Sequence, residues 1–167
     1  MNPLTPTKGL QVSTPTNTTI VLTRTFNAPR RLVWEAMFTP DKMRRWMLPP
    51  PGWTTTVCEC EPRMAGALRV VWKSAEADPA MTLHGVFTEA VLHERMIHTE
   101  VMVLGSGQPI GSQVETHEFV ESSGVTTMRI TQVYPSKEAR DGTVASGMDE
   151  GMEACYKQLD AVLAQPA

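Results

Sequence analysis

Cys58 and Cys60 stand two apart and are the first residues in the chain whose types and spacing could do chemistry, as a metal-binding or redox pair. On a strand, residues two apart share a face, yet that geometry suits a disulfide poorly, and no second Cys-x-Cys or nearby histidine completes four ligands. The simpler reading is two small, buried or half-buried strand residues. The third cysteine, Cys155, falls on an apolar helical stripe and reads as core. His84, His93, His98 and His117 show neither the i, i+4 spacing nor the short loop spacing of a zinc site, so no metal and no cofactor is expected. His98 and His84 could face the same side of neighbouring strands and offer a polar group to a cavity, or both could face solvent. Glu89 has two readings. If Phe87 points inward then Glu89 does too, and a carboxylate in an apolar cavity would titrate high. Otherwise it is solvated or paired with Arg95 or Arg129.

No nucleophile is joined to a base: the chain has no Gly-x-Ser-x-Gly and no cysteine with a local histidine. No catalytic residue is therefore assigned. Gly105, Gly107 and Gly111 lie between strands, a context that excludes a dinucleotide fingerprint. The remaining signal is soft and aromatic: Met43, Trp46, Met47, Trp53, Trp72, Met102, Met128, Met148 and Met152. Such side chains adapt to varied apolar ligands, and they also fill cores.

The elements that must position these residues follow from period and punctuation. Residues 1–17 are rich in Thr and Pro and read as a flexible leader, with the domain running over 18–165. Ile20, Leu22 and Phe26 suggest a strand. A short helix follows from Arg30, and Thr39-Pro40 supplies an N-cap with proline at the first position of a second one. Pro49-Pro50-Pro51-Gly52 stops both. The period then switches to two, giving strands at 54–60, 67–73, 83–91, 96–103, 114–120 and 126–134, with a turn at 76–79 and a loop at 105–111. Last comes a long helix over 136–163, capped by Ser136, with Val144, Met148, Met152, Cys155, Leu159 and Val162 in one stripe. Gly147 and Gly151 inside it each cost about 1 kcal/mol against alanine, so they imply close backbone approach or open space. Short connections force antiparallel neighbours, and only the terminal helix is long enough to cover the sheet. The predicted class is α+β: a curved antiparallel sheet gripping one helix.

The chain has 167 residues, with 15 Lys plus Arg against 18 Asp plus Glu, a net charge of −3. That length suffices for one domain with a sizeable core. No basic run exceeds Arg30-Arg31 or Arg44-Arg45, which argues against nucleic acid as a partner. No apolar run suits a membrane span. Three cysteines and no export signal point to a reduced, cytoplasmic setting.

Several words of the sequence, in order, resemble the bacterial proteins similar to the C-terminal domain of the activator of the Hsp90 ATPase, within the START-like (Bet v 1-like, SRPBCC) helix-grip superfamily. They are Thr25-Phe26-Asn27-Ala28-Pro29-Arg30 through Trp34, Thr39-Pro40-Asp41-Lys42 running into Arg45-Trp46, and Cys58-Glu59-Cys60-Glu61-Pro62-Arg63 with Gly66. Further on stand Gly85-Val86-Phe87-Thr88-Glu89, His93-Glu94-Arg95-Met96, and Pro135-Ser136-Lys137-Glu138 followed by Gly147-Met148-Asp149-Glu150-Gly151. The resemblance covers residues 19–163. Departures fall at Met47 and Leu48, where the family often has Trp and Gly, and at His98 and Met152, where an aromatic is common.

The resemblance implies a cavity between sheet and terminal helix, holding a small, mostly apolar molecule. Composition assigns its lining to Trp46, Trp53, Trp72, Phe87, His98, Met128, Met148 and Met152, with Glu89 as a polar anchor. Two alternatives accompany this expectation. One is a co-chaperone that stimulates an Hsp90-type chaperone. The other is an enzyme on a hydrophobic substrate, with Glu89 and His98 as acid and base. Relatives of this shape often pair through sheet edges or loops, so a homodimer is a further expectation.

Overall fold

Alternation in the strands decides the inner face. In the computed structural model, which describes residues 7–76, 80–107 and 109–165, Ile20, Leu22, Arg24 and Phe26 are buried while their neighbours are only half-buried. The elements are β1 (Gln11–Thr16), β2 (Thr19–Phe26), α1 (Arg30–Phe38), α2 (Pro40–Trp46), β3 (Trp53–Cys60), β4 (Ala67–Ser74), β5 (Met81–Val91), β6 (Arg95–Leu104), β7 (Pro109–Ser122), β8 (Val125–Val133), α3 (Lys137–Ala145) and α4 (Met148–Leu163). The strands form one antiparallel, eight-stranded sheet in the order β1-β2-β8-β7-β6-β5-β4-β3. The chain is thus α+β with a helix-grip architecture. From β3 to β8 the strands are a meander, and β2 closes against β8.

The helices cover the inner face. On α1, Trp34 and Phe38 meet Phe119 edge-on at 5.5 and 6.2 Å between ring centroids, plugging one end of the sheet. The Trp46 indole donates to the Ala36 carbonyl at 2.7 Å, tying α2 to α1. On α4, Tyr156 and Leu159 are fully buried, and the Tyr156 ring stands edge-on to Phe26 at 5.8 Å. Arg24 pins the outer side of α4: its guanidinium donates to Glu153 at 3.2 and 3.3 Å and to Asp160 at 2.7 and 2.9 Å.

Three expectations need correction. Residues 11–16 of the expected leader form edge strand β1, although all six side chains are exposed. Backbone pairing with β2 holds this strand, and a shift in register spans Thr14-Pro15, where proline has no N–H to donate. β7 begins at Pro109, inside the expected 105–111 loop. The terminal helix is two helices, because Gly147 takes a left-handed conformation (φ 75°) that stops α3 and starts α4. The apolar stripe accordingly begins at Met148, while Val144 is exposed. A Cβ on Gly151 would meet nothing within 4 Å, so open space rather than close packing explains that glycine. Ser136 caps α3 as expected, its hydroxyl accepting from the Ala139 N–H at 3.1 Å. Residues 1–6 of the leader and 77–79 of the expected turn lie outside the described residues.

Candidate functional site

A cavity of about 290 Å³ lies between the inner face of the sheet and helices α2 and α4. Met37, Phe38, Met43, Trp46, Met148 and Met152 make its helical side apolar. Across from them the sheet presents polar groups, built by register. On β6 and β7 the cross-strand pairs Met96–His117, His98–Glu115 and Glu100–Gln113 share the inner face, and on β8 Ile130 and Gln132 stand opposite His117 and Glu115. Side chains two apart along each strand therefore run from apolar at the Phe119–Met128 end to polar at the Gln113–Gln132 end.

These groups are joined. Gln132 Nε2 donates to Glu115 Oε1 at 2.6 Å, and the Tyr134 hydroxyl donates to Gln132 Oε1 at 3.1 Å. Gln113 Nε2 bridges Glu100 Oε2 at 3.0 Å and Glu115 Oε1 at 3.3 Å. His117 Nε2 lies 3.0 Å from Glu115 Oε2 and 3.1 Å from His98 Nε2, and His98 Nδ1 lies 3.3 Å from the Thr99 carbonyl. The two imidazole rings lie 25° from parallel with centroids 5.1 Å apart, their Nε2 edges facing. His117 Nδ1 is buried without a hydrogen-bond partner.

Burial, reinforced by the charge of His117, brings His98 down to about 4, so it is neutral at physiological pH. The two carboxyls diverge. Burial and then the charge of Glu115 push Glu100 well above its ordinary value. Burial acts the same way on Glu115, but hydrogen bonding and charge from His117, with His98 and Gln132, overcome it and hold Glu115 well below the usual range. Of the two, Glu115 gives up its proton the more readily and Glu100 holds its proton the longer.

Of the residues singled out from sequence, Trp46, His98, Met148 and Met152 line this cavity. Five others do not. Phe87 and Met128 are buried in the packed core, with Phe87 edge-on behind His98 at 5.2 Å. Trp72 is buried in β4 and Trp53 half-buried in β3, both toward the far edge of the sheet. Glu89 points away: it pairs with Arg95 at 3.2 Å, and its side chain is 40% exposed. The cause is a bulge. Phe87 pairs with His98 but Glu89 pairs with Ile97, so the extra residue Thr88 shifts the alternation and sends Phe87 and Glu89 to different environments. His84 is exposed and pairs with Val101, an odd offset from His98, so the two histidines do not share a face. Glu89 and His98 are consequently not an acid–base pair. Glu89 lines instead an open surface depression of about 740 Å³, where Arg30, Glu94, Arg95 and Glu118 also stand. Its two arginines are already paired with Glu94 and Glu89, and the glutamates Glu118 and Glu121 line it as well.

Glu100, Gln113, Glu115, His117, Gln132 and Tyr134 are polar cavity residues absent from the expected lining, and Met37, Phe38 and Tyr156 are among the apolar ones. The signal of the polar residues on β7 was the alternation Gln113-x-Glu115-x-His117-x-Phe119. It was masked because the other face of β7 offers Val114 and Val120, which made an inward polar row look like the solvent face. Cys58 and Cys60 are buried free thiols, and burial pushes Cys60 up to about 12.

A protein from Rhodobacter sphaeroides of known crystal structure is 30% identical, with 93% of this chain and 97% of that one aligned and a TM-score of 0.82. Proteins from Mycobacterium smegmatis (20% identity, 96% and 99% covered, TM-score 0.80) and Nitrosomonas europaea (22%, 90% and 96%, TM-score 0.75) share the fold. No functionally curated protein matches the chain. Among the described residues no helix is long and apolar enough to cross a membrane. Residues 27–164 match the family described as activator of Hsp90 ATPase homolog 1-like protein, and the chain belongs to that family.

Proposed function

We propose that the protein binds a small molecule with an apolar body and one polar end, held between the sheet and α4. The observation that carries this reading is the asymmetry of the 290 Å³ cavity: methionines and aromatic rings on the helices, a hydrogen-bonded polar row on the strands. Ligand pockets commonly pair a mostly apolar lining with a few placed polar groups, and span about 300–1,000 Å³. This cavity sits at the small end, which favours a compact ligand. Methionine adds tolerance for varied shapes.

The test is native mass spectrometry of the purified protein followed by denaturing extraction, with a parallel titration by the apolar fluorophore anilinonaphthalene sulfonate. A retained or titratable ligand that Met152→Trp excludes, in a variant of unchanged circular dichroism, supports the reading. Binding indifferent to Met152→Trp, or none, overturns it.

The family match favours a second reading, stimulation of an Hsp90-type ATPase. Turnover of the chaperone unchanged at saturating protein would dismiss it.

A further inference from the structure

We propose that His98, Glu115 and His117 form a site for one divalent transition-metal ion of the zinc class at the polar end of the cavity. One ligand atom from each residue falls within a 4.8 Å group, and all three residues are buried. Nε2 of His98 and Nε2 of His117 are 3.1 Å apart, and Glu115 Oε2 lies 3.0 Å from His117 and 3.8 Å from His98. An ion about 2.1 Å from three donors at tetrahedral angles needs those donors about 3.4 Å apart. The three edges bracket that value.

The surrounding bonds aim these atoms. His98 Nδ1 faces the Thr99 carbonyl at 3.3 Å, and a proton on Nδ1 donates there and leaves Nε2 as the free lone pair, 3.1 Å from His117 Nε2. Glu115 Oε1 is taken by Gln132 and Gln113, which leaves Oε2 for the focus. The His117 ring is held by packing against Phe38 and Phe119, at 5.6 and 6.4 Å between centroids.

Without an ion no protonation state of His117 satisfies this arrangement: an imidazolium pairs with Glu115 but leaves a buried Nδ1 donor with no acceptor, and a neutral ring leaves the cluster short of protons. If His117 carries its proton on Nε2, that single proton faces two acceptors, and Nδ1 is a buried acceptor with no donor. If the proton sits on Nδ1, three lone pairs converge. A cation at the focus satisfies all three at once. No lysine or arginine lines the cavity among the described residues, so the cations open to the buried Glu115 carboxylate are a protonated His117 or a bound metal ion. Buried charges are ordinarily paired or coordinate metals. Two imidazoles and one carboxylate exclude calcium and magnesium, which take oxygen ligands, and suit zinc or its first-row neighbours. Three protein ligands with the cavity on the fourth side make an open site, able to bind the polar end of a ligand.

The inference does not rest on the ligand reading, because metal uptake is measured with no organic molecule present. Chelator-treated protein is titrated with Zn(II) against a chromophoric competitor, and with Co(II) by visible absorption. The expected result is one ion per chain and the d–d bands of a four- or five-coordinate site. Affinity should fall at least ~100-fold in His98→Gln, Glu115→Gln and His117→Gln, since even outer partners of metal ligands cost 10–100-fold. It should be unchanged in Cys60→Ser. Imidazole NMR of the wild type covers the case of a variant that fails to fold: Zn(II) should shift the His98 and His117 rings and leave His84 and His93 in place. A folded wild type that stays metal-free, uptake that survives all three substitutions, or uptake lost in Cys60→Ser overturns the proposal.

Discussion

Arg24→Met removes the cation that ties β2 to α4 while keeping the apolar stem, and its cost can be worked from the contacts. Arg24 is 5% exposed and lies over the Phe26 ring at 4.9 Å, so methionine fills much of the same space. What is lost is two carboxylate contacts, at 3.2 Å to Glu153 and 2.7 Å to Asp160. Breaking a fully buried pair costs about 3–5 kcal/mol because a charge is left stranded. Here the stranded partners are 24% and 46% exposed and water can resolvate them. The expected loss is therefore about 2–3 kcal/mol, a fall in Tm of roughly 5–10 °C for a domain this size. The pH dependence follows from Glu153. Burial raises its pKa, but the Arg24 bonds and charge outweigh that and leave it lowered. A carboxylate depressed in the folded state contributes stability above its unfolded value, which is lost as pH falls through the folded one. Acid should thus weaken the wild type below about pH 4.5, and Arg24→Met should flatten that slope. The assay is urea unfolding at several pH values, with double-mutant cycles to Glu153→Gln and Asp160→Asn. A loss under about 0.5 kcal/mol, or an unchanged acid slope, would refute the clamp.

Gly85→Ala should destabilise by about 3 kcal/mol or more in urea unfolding, since overpacking costs 1–3 and this clash has nowhere to go. A Cβ there would lie 1.7 Å from the Thr99 carbonyl oxygen, a backbone atom, so Thr99→Ala should give no rescue. Gly147→Ala should cost about 1–2 kcal/mol, the penalty of a left-handed non-glycine residue, although no neighbour is within 4 Å of the new methyl. A thiol reagent at pH 8 should modify native Cys60 negligibly, because burial holds it near 12 and protonated, and should reach all three cysteines only in denaturant. Prompt native reaction at Cys60 would show that β3 opens readily.

What the chain alone settled was local. Thr39-Pro40 and Ser136 mark helix starts because proline geometry at Pro40 and the capping hydroxyl of Ser136 each act within one turn, although the Thr39 side chain makes no capping bond. The period-two stretches from Trp53 onward gave the meander, because alternation across a strand needs no partner to be read. Trp46, Met148 and Met152 were legible as cavity residues from their place beside the proline loop and on the helix stripe. The break at Gly147 was present as a cost but not as a direction, since glycine permits a left-handed turn without requiring one.

Only the tertiary structure decided the rest. β1 exists because β2 offers it an unpaired edge; its own exposed side chains specify nothing. Glu89 faces outward because of one extra residue opposite β6, and a bulge is a property of two strands together. His98 and Glu115 are seventeen positions apart in the chain yet directly paired across β6 and β7. Their row reads as a solvated face until helices α2 and α4 close over it, and closure then turns ordinary polar side chains into a buried, mutually bonded cluster. The sequence carried the polar side chains, and the register of β6, β7 and β8 brought them side by side.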